Sequence, residues 1–126
     1  MSERRILEPG PRHPIAIERH DSSPARVRVG GHVVADAPAH LSLAEASYPA
    51  VAYVDERYAD AALLERSETT SWCPFKGEAS YYHLRLPDGR LIEDAAWVYY
   101  DPAPAVAAIK GHLAFYPARV DAIETS

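Results

Sequence analysis

Apolar and polar residues alternate with a period of two through much of this chain, the pattern of strands half buried against a core. Ile15–Arg19 sets Ile15 and Ile17 against Ala16 and Glu18. Arg26–Val29 and His32–Ala35 flank Gly30-Gly31, and two adjacent glycines suit the positive φ angles of a tight hairpin turn. Ala39–Leu43 and Pro49–Val54 predict two more short strands. A second hairpin is predicted from Ala79–Leu86 and Arg90–Tyr100 around Pro87-Asp88-Gly89, a strong turn signature. In its second strand Leu91, Glu93, Ala95, Trp97 and Tyr99 share one face, and Ile92, Asp94, Ala96, Val98 and Tyr100 the other.

Helical spacing appears twice and briefly. Ala59, Ala62, Leu63 and Arg66 fit a short helix within Asp55–Arg66. Asp101 followed by Pro102 and Pro104 reads as an N-cap and first turn, with Val106, Ile109 and Leu113 as the buried stripe and Gly111 near the end. Leu113–Tyr116 then returns as a strand. The expectation is a mainly β chain of antiparallel sheets with one or two short helices. Residues 1–14, with three prolines and no periodicity, form an extended N-terminal arm. Residues 15–120 make one β-rich domain, and residues 121–126 a C-terminal tail.

Composition narrows the function classes. The chain has 126 residues, enough for one hydrophobic core. Its 13 basic and 18 acidic side chains give a formal charge of −5, which repels phosphate backbones and anionic lipid, so neither nucleic acid nor membrane is an expected partner. The longest apolar run, Ala95–Tyr100, is far short of a membrane span. One cysteine excludes an intramolecular disulfide and a multi-thiolate zinc site. The six histidines form no metal-binding spacing, so no metal and no cofactor is expected. With no secretion signal at the start, the cytoplasm is the simplest compartment.

The least interchangeable residues lie in Thr69–Tyr82, Thr-Thr-Ser-Trp-Cys-Pro-Phe-Lys-Gly-Glu-Ala-Ser-Tyr-Tyr. Two readings stand: a structural corner closing one end of a sheet, or one wall of a pocket. Cys73 precedes Pro74, which favours an extended backbone at the cysteine. Its thiol is a candidate nucleophile if Lys76 or His83 lowers its pKa, and otherwise a small core hydrophobe. Lys76, between an aromatic and a glycine, can hold a carboxylate or phosphate as a point charge, or sit exposed in a turn. Asp36, Glu45, Glu78 and Asp94 are candidate acids that no spacing pairs. Aromatics at strand spacing are more often core than cage, but Trp97 and Tyr99 share a face with Glu93, a mixture found in small-molecule sites.

These blocks in order resemble the domain-of-unknown-function family 427, labelled nucleotidyltransferase-like in some catalogues. The resemblance rests on Cys73-Pro74-Phe75-Lys76-Gly77 with Ala79 and Tyr81, on Ala96-Trp97, Tyr99 and Pro102, and on Ile109 and Leu113-Ala114-Phe115-Tyr116. Val34-Ala35-Asp36, Glu45 and Tyr53 are similar to earlier landmarks, although Ala37-Pro38-Ala39-His40 stands where members often carry an arginine. The resemblance implies a β-tent fold of the Mss4-like type. Nucleotidyl transfer needs paired metal-binding carboxylates, and no Asp-x-Asp or Asp-x-Glu follows Gly30-Gly31. The leading expectation is therefore a small-molecule site, for an anionic or planar ligand, built from Tyr53, Trp72, Lys76, Tyr81, Trp97 and Tyr99. Lys76, Cys73 and Glu45 are its catalytic candidates. The alternatives are a protein-interaction module, including a homodimer, in which the block is purely structural, and a nucleotidyltransferase-like enzyme.

Overall fold

The computed structural model describes residues 4–126. The chain is mainly β, with two antiparallel sheets and, among the described residues, no α-helix. In chain order the strands are β1 Ile15–His20, β2 Ala25–Val29, β3 His32–Ala37, β4 His40–Glu45, β5 Val51–Asp55, β6 Leu64–Cys73, β7 Gly77–Arg85, β8 Leu91–Val98, β9 His112–Phe115 and β10 Ala122–Thr125. The larger sheet runs β1-β4-β5-β9-β8-β7-β6 and the smaller β10-β2-β3.

Alternation decides what each face buries. In β2, Ala25, Val27 and Val29 are buried while Arg26 and Arg28 are exposed. Val27, Val29 and Val34 of the small sheet pack on Leu84, Val98, Leu113 and Phe115 of the large one, an aliphatic core between two layers. The β2–β3 turn is Gly30-Gly31, with φ of +57° and +79°, the sign of φ that suits glycine at both central positions. The opposite face of the large sheet carries a second core. There Leu41, Leu43, Tyr53, Tyr99 and Ala114 meet Val106 and Ile109 from the segment after β8.

Three expectations change. Residues 121–126 are not a free tail, because Ala122–Thr125 pairs with β2 as the third strand of the small sheet. The helix expected within 55–66 is instead two 3-10 turns, Glu56–Tyr58 and Ala61–Leu63, after which the chain extends into β6. The Asp55 and Asp60 carboxylates cap them by accepting from Arg57 N (3.1 Å) and Ala62 N (3.0 Å), and so few residues cannot sustain an α-helical nucleus. The helix expected after Asp101 is the 3-10 segment Pro104–Ile109, broken at Val106, where φ is −122°. Asp101 does not cap it. The preceding residue is Ala103, whose amide donates to the Lys76 carbonyl at 3.0 Å, so the chain here is tied to the β6–β7 turn.

Candidate functional site

The site begins at the β6–β7 turn. Cys73 pairs with Gly77, and the Lys76 amide donates to the Cys73 carbonyl at 3.1 Å, so Pro74 and Phe75 form the tip of a tight turn. Gly77 holds φ +106°, and a Cβ there would come within 3.3 Å of the Asp101 carbonyl oxygen. Only glycine fits this position without strain. The turn is thereby pressed against the segment leaving β8.

From this turn Lys76 reaches across the sheet. Its Nζ donates to Glu45 Oε1 at 2.5 Å, and Glu45 ends β4. Four strand spacings separate β4 from β7, roughly 19 Å in a flat sheet, and no lysine side chain spans that distance. The large sheet must therefore curl, bringing the β6–β7 turn over its own face. A second contact fastens the curl: the His13 ring stacks on Phe75 at 3.9 Å and 9°, and His13 Nε2 donates to Glu45 Oε2 at 2.7 Å. Glu45 is thus gripped through both oxygens. Its side chain and that of Lys76 are 15% and 14% exposed, so the pair is largely withdrawn from water yet still reachable. Burial alone would push the Glu45 carboxyl up, but the hydrogen bonds from Lys76 and His13, with their charges, outweigh it and hold it below 4.5.

Register places the remaining residues. Leu41 pairs with Tyr53, Trp97 with Ala114, Tyr81 with Trp97, and Ser71 with Ala79. Strand alternation then puts Glu45, Tyr53, Trp97, Tyr99, Tyr81, Ser71 and Cys73 on the curled face. Trp97 Nε1 donates to the Tyr53 hydroxyl at 3.2 Å, with the rings edge to face at 6.3 Å. Tyr81 and Ser71 share a hydrogen bond of 2.8 Å. The Lys76 ammonium lies 5.9 Å from the centre of the Tyr99 ring. Burial, with the neighbouring Glu45, Cys73 and Tyr81, holds the phenols of Tyr53 and Tyr99 in the protonated form, the former pushed up to about 12 although its bond from Trp97 works the other way. Both therefore remain O–H donors at neutral pH. The Tyr53 oxygen accepts from Trp97, which leaves its proton to donate. The Tyr99 hydroxyl makes no hydrogen bond among the described residues.

Six of the seven residues predicted beyond Glu45 meet here: Tyr53, Cys73, Lys76, Tyr81, Trp97 and Tyr99. Trp72 does not. It pairs with Glu78 on the opposite face of β6, under the Arg4 guanidinium at 5.1 Å, where Arg4 also bonds Glu78. Among the four candidate acids only Glu45 enters the site. Asp36 pairs with Arg26 at 3.1 Å, and Asp94 accepts from Thr69 at 2.8 Å. Glu93, expected beside Trp97, is exposed and lies beyond a kink at Asp94 (φ +46°), where the β7–β8 register shifts. His13 is not among the residues expected in the site: the sequence offers it at the start of the stretch that resembles the family, with no mark of a role beside Glu45. Among the described residues no three His, Cys, Asp or Glu side chains gather as a metal site, and no helix is long and apolar enough to cross a membrane.

Residues 17–126 match the family model described as Domain of unknown function (DUF427). No curated protein matches the chain.

Proposed function

Because the chain belongs to the DUF427 family, whose description names no chemistry, we propose a function from the site itself: the curled face binds a small molecule through a carboxylate or carbonyl group. The observation that carries this reading is an excess of donors. Lys76 uses one N–H on Glu45 and keeps two, and the Tyr99 hydroxyl is unspent. Beside them Tyr53 retains a proton to give. Glu45 already receives one donor on each oxygen, from His13 and Lys76. A ligand oxygen with lone pairs fits such a group, while a ligand ammonium would have to share Glu45 with Lys76 and His13. Trp97 and Tyr81, both half-buried, offer the flat apolar wall typical of small-molecule sites.

Thermal melting with acetate, phenylacetate, benzyl alcohol and benzylamine tests this. The carboxylates raise the melting temperature and the amine does not; a ligand at 100 times its Kd adds about 2.7 kcal/mol. Lys76→Met and Tyr99→Phe each weaken the response. Equal stabilisation by benzylamine, or an unchanged response in Lys76→Met, overturns the reading.

A further inference from the structure

β5 and β9 pair only at Val54 with Leu113 and Asp55 with His112. Toward the other end they part. Pro49 and Ala50 lead into β5, and Pro117 follows Tyr116 without an amide hydrogen to extend the ladder. The gap is a half-open cleft of about 660 Å³, within the range of small-molecule pockets. Tyr48, Val51, Trp97, Phe115, Tyr116 and Ile123 supply most of its apolar wall.

Trp97 is common to this cleft and the donor cluster. Its indole nitrogen bonds Tyr53, while its ring leans on Tyr116 at 4.5 Å and 44°. Burial and the neighbouring Tyr81 keep the Tyr116 phenol neutral, pushed up to about 12. The cleft and the donor cluster therefore have the Trp97 indole in common. Among the described residues the lining contains no lysine or arginine. The one carboxylate among those described, Asp121, already accepts from the Gly30 amide at 2.8 Å. A second anionic group on the ligand has no partner there, which disfavours polyphosphates and dicarboxylates.

Resting on the reading above, we propose that the ligand is an amphipathic monocarboxylate whose aryl or branched-alkyl body occupies the cleft between β5 and β9. The head chooses the charge, and the cleft chooses the shape. Isothermal titration of the full chain with acetate, 3-methylbutanoate and phenylacetate reads this directly. Affinity rises along the series by about fourfold for each buried CH₂ equivalent. Ala50→Trp, at an exposed lining position, fills the cleft and brings phenylacetate down to the affinity of acetate, while acetate and the melting temperature stay unchanged. Ala50→Ser, which fills nothing, keeps the gain. Acetate and phenylacetate binding equally, or a gain that survives Ala50→Trp, overturns the cleft proposal and leaves the carboxylate reading standing. Benzyl alcohol binding as tightly as phenylacetate, and losing affinity in Ala50→Trp, overturns the carboxylate reading while the cleft stands as an apolar site. No binding by any member overturns both.

Discussion

The two faces of the large sheet are built from different chemistry. Between the sheets the fully buried side chains are alanine, valine, leucine and one phenylalanine, with Leu84, Val98 and Leu113 sealed from solvent. Polar groups enter at the half-buried margin, where Tyr82 and Tyr100 bond each other and Tyr100 bonds Glu56. On the curled face the buried and half-buried groups include three tyrosine hydroxyls, an indole, a thiol and an ion pair. Aliphatic packing needs only shape. A phenol or an ammonium withdrawn from water must be matched by a partner, so holding such groups together costs free energy that the first core does not spend. The inter-sheet face explains why the chain folds; the curled face, where polar groups are retained at a cost, is where a function is to be sought.

The contrast can be broken from either side. Leu84→Ala should have the largest effect on folding, about 3 kcal/mol or more by denaturant unfolding, because it leaves a cavity in a fully buried core. Ligand affinity of the folded fraction should not change. Lys76→Met should cost roughly 3 kcal/mol by leaving Glu45 short of its stronger partner, and here affinity falls as well. Equal losses of affinity in the two variants would erase the distinction between the faces. Gly77→Ala should cost about 1–2 kcal/mol, from the positive φ and the nearby Asp101 carbonyl, and should weaken binding by displacing Lys76. The smallest effect is the dependence on acidity. The Glu45 carboxyl is depressed in the folded chain, so its contribution is complete above pH 4.5 and is lost as pH falls through its lower folded value. Stability measured across that window should be flatter in Glu45→Gln than in the parent.

Much of the fold could be read from alternation and turn chemistry. Gly30-Gly31 and Pro87-Asp88-Gly89 stand between paired strands as their φ preferences require. β10 was missed because Ala122–Thr125 is four residues long with no turn signal before it, and its place is fixed only by distant β2. The expected helices failed because neither segment has the length to offset the cost of a first turn. In the site, the Cys-Pro-Phe-Lys-Gly block and the Trp97–Tyr99 pair converge with Glu45 and Tyr53. Trp72 is next to Cys73 in sequence but not in the site, because neighbours along a strand point to opposite faces. His13 could not be found in this way, because its partner is 32 residues away and its stacking on Phe75 arises only once the sheet has curled.

The clasp on Glu45 is therefore split between two parts of the chain. Lys76 belongs to the stretch that matches the family, whereas His13 precedes residue 17, where that match starts. A protein trimmed to the shared stretch, or carrying a bulky fusion that lifts the amino-terminal strap from Phe75, would leave one carboxylate oxygen unfastened. Affinities measured on it would describe a looser, altered receptor.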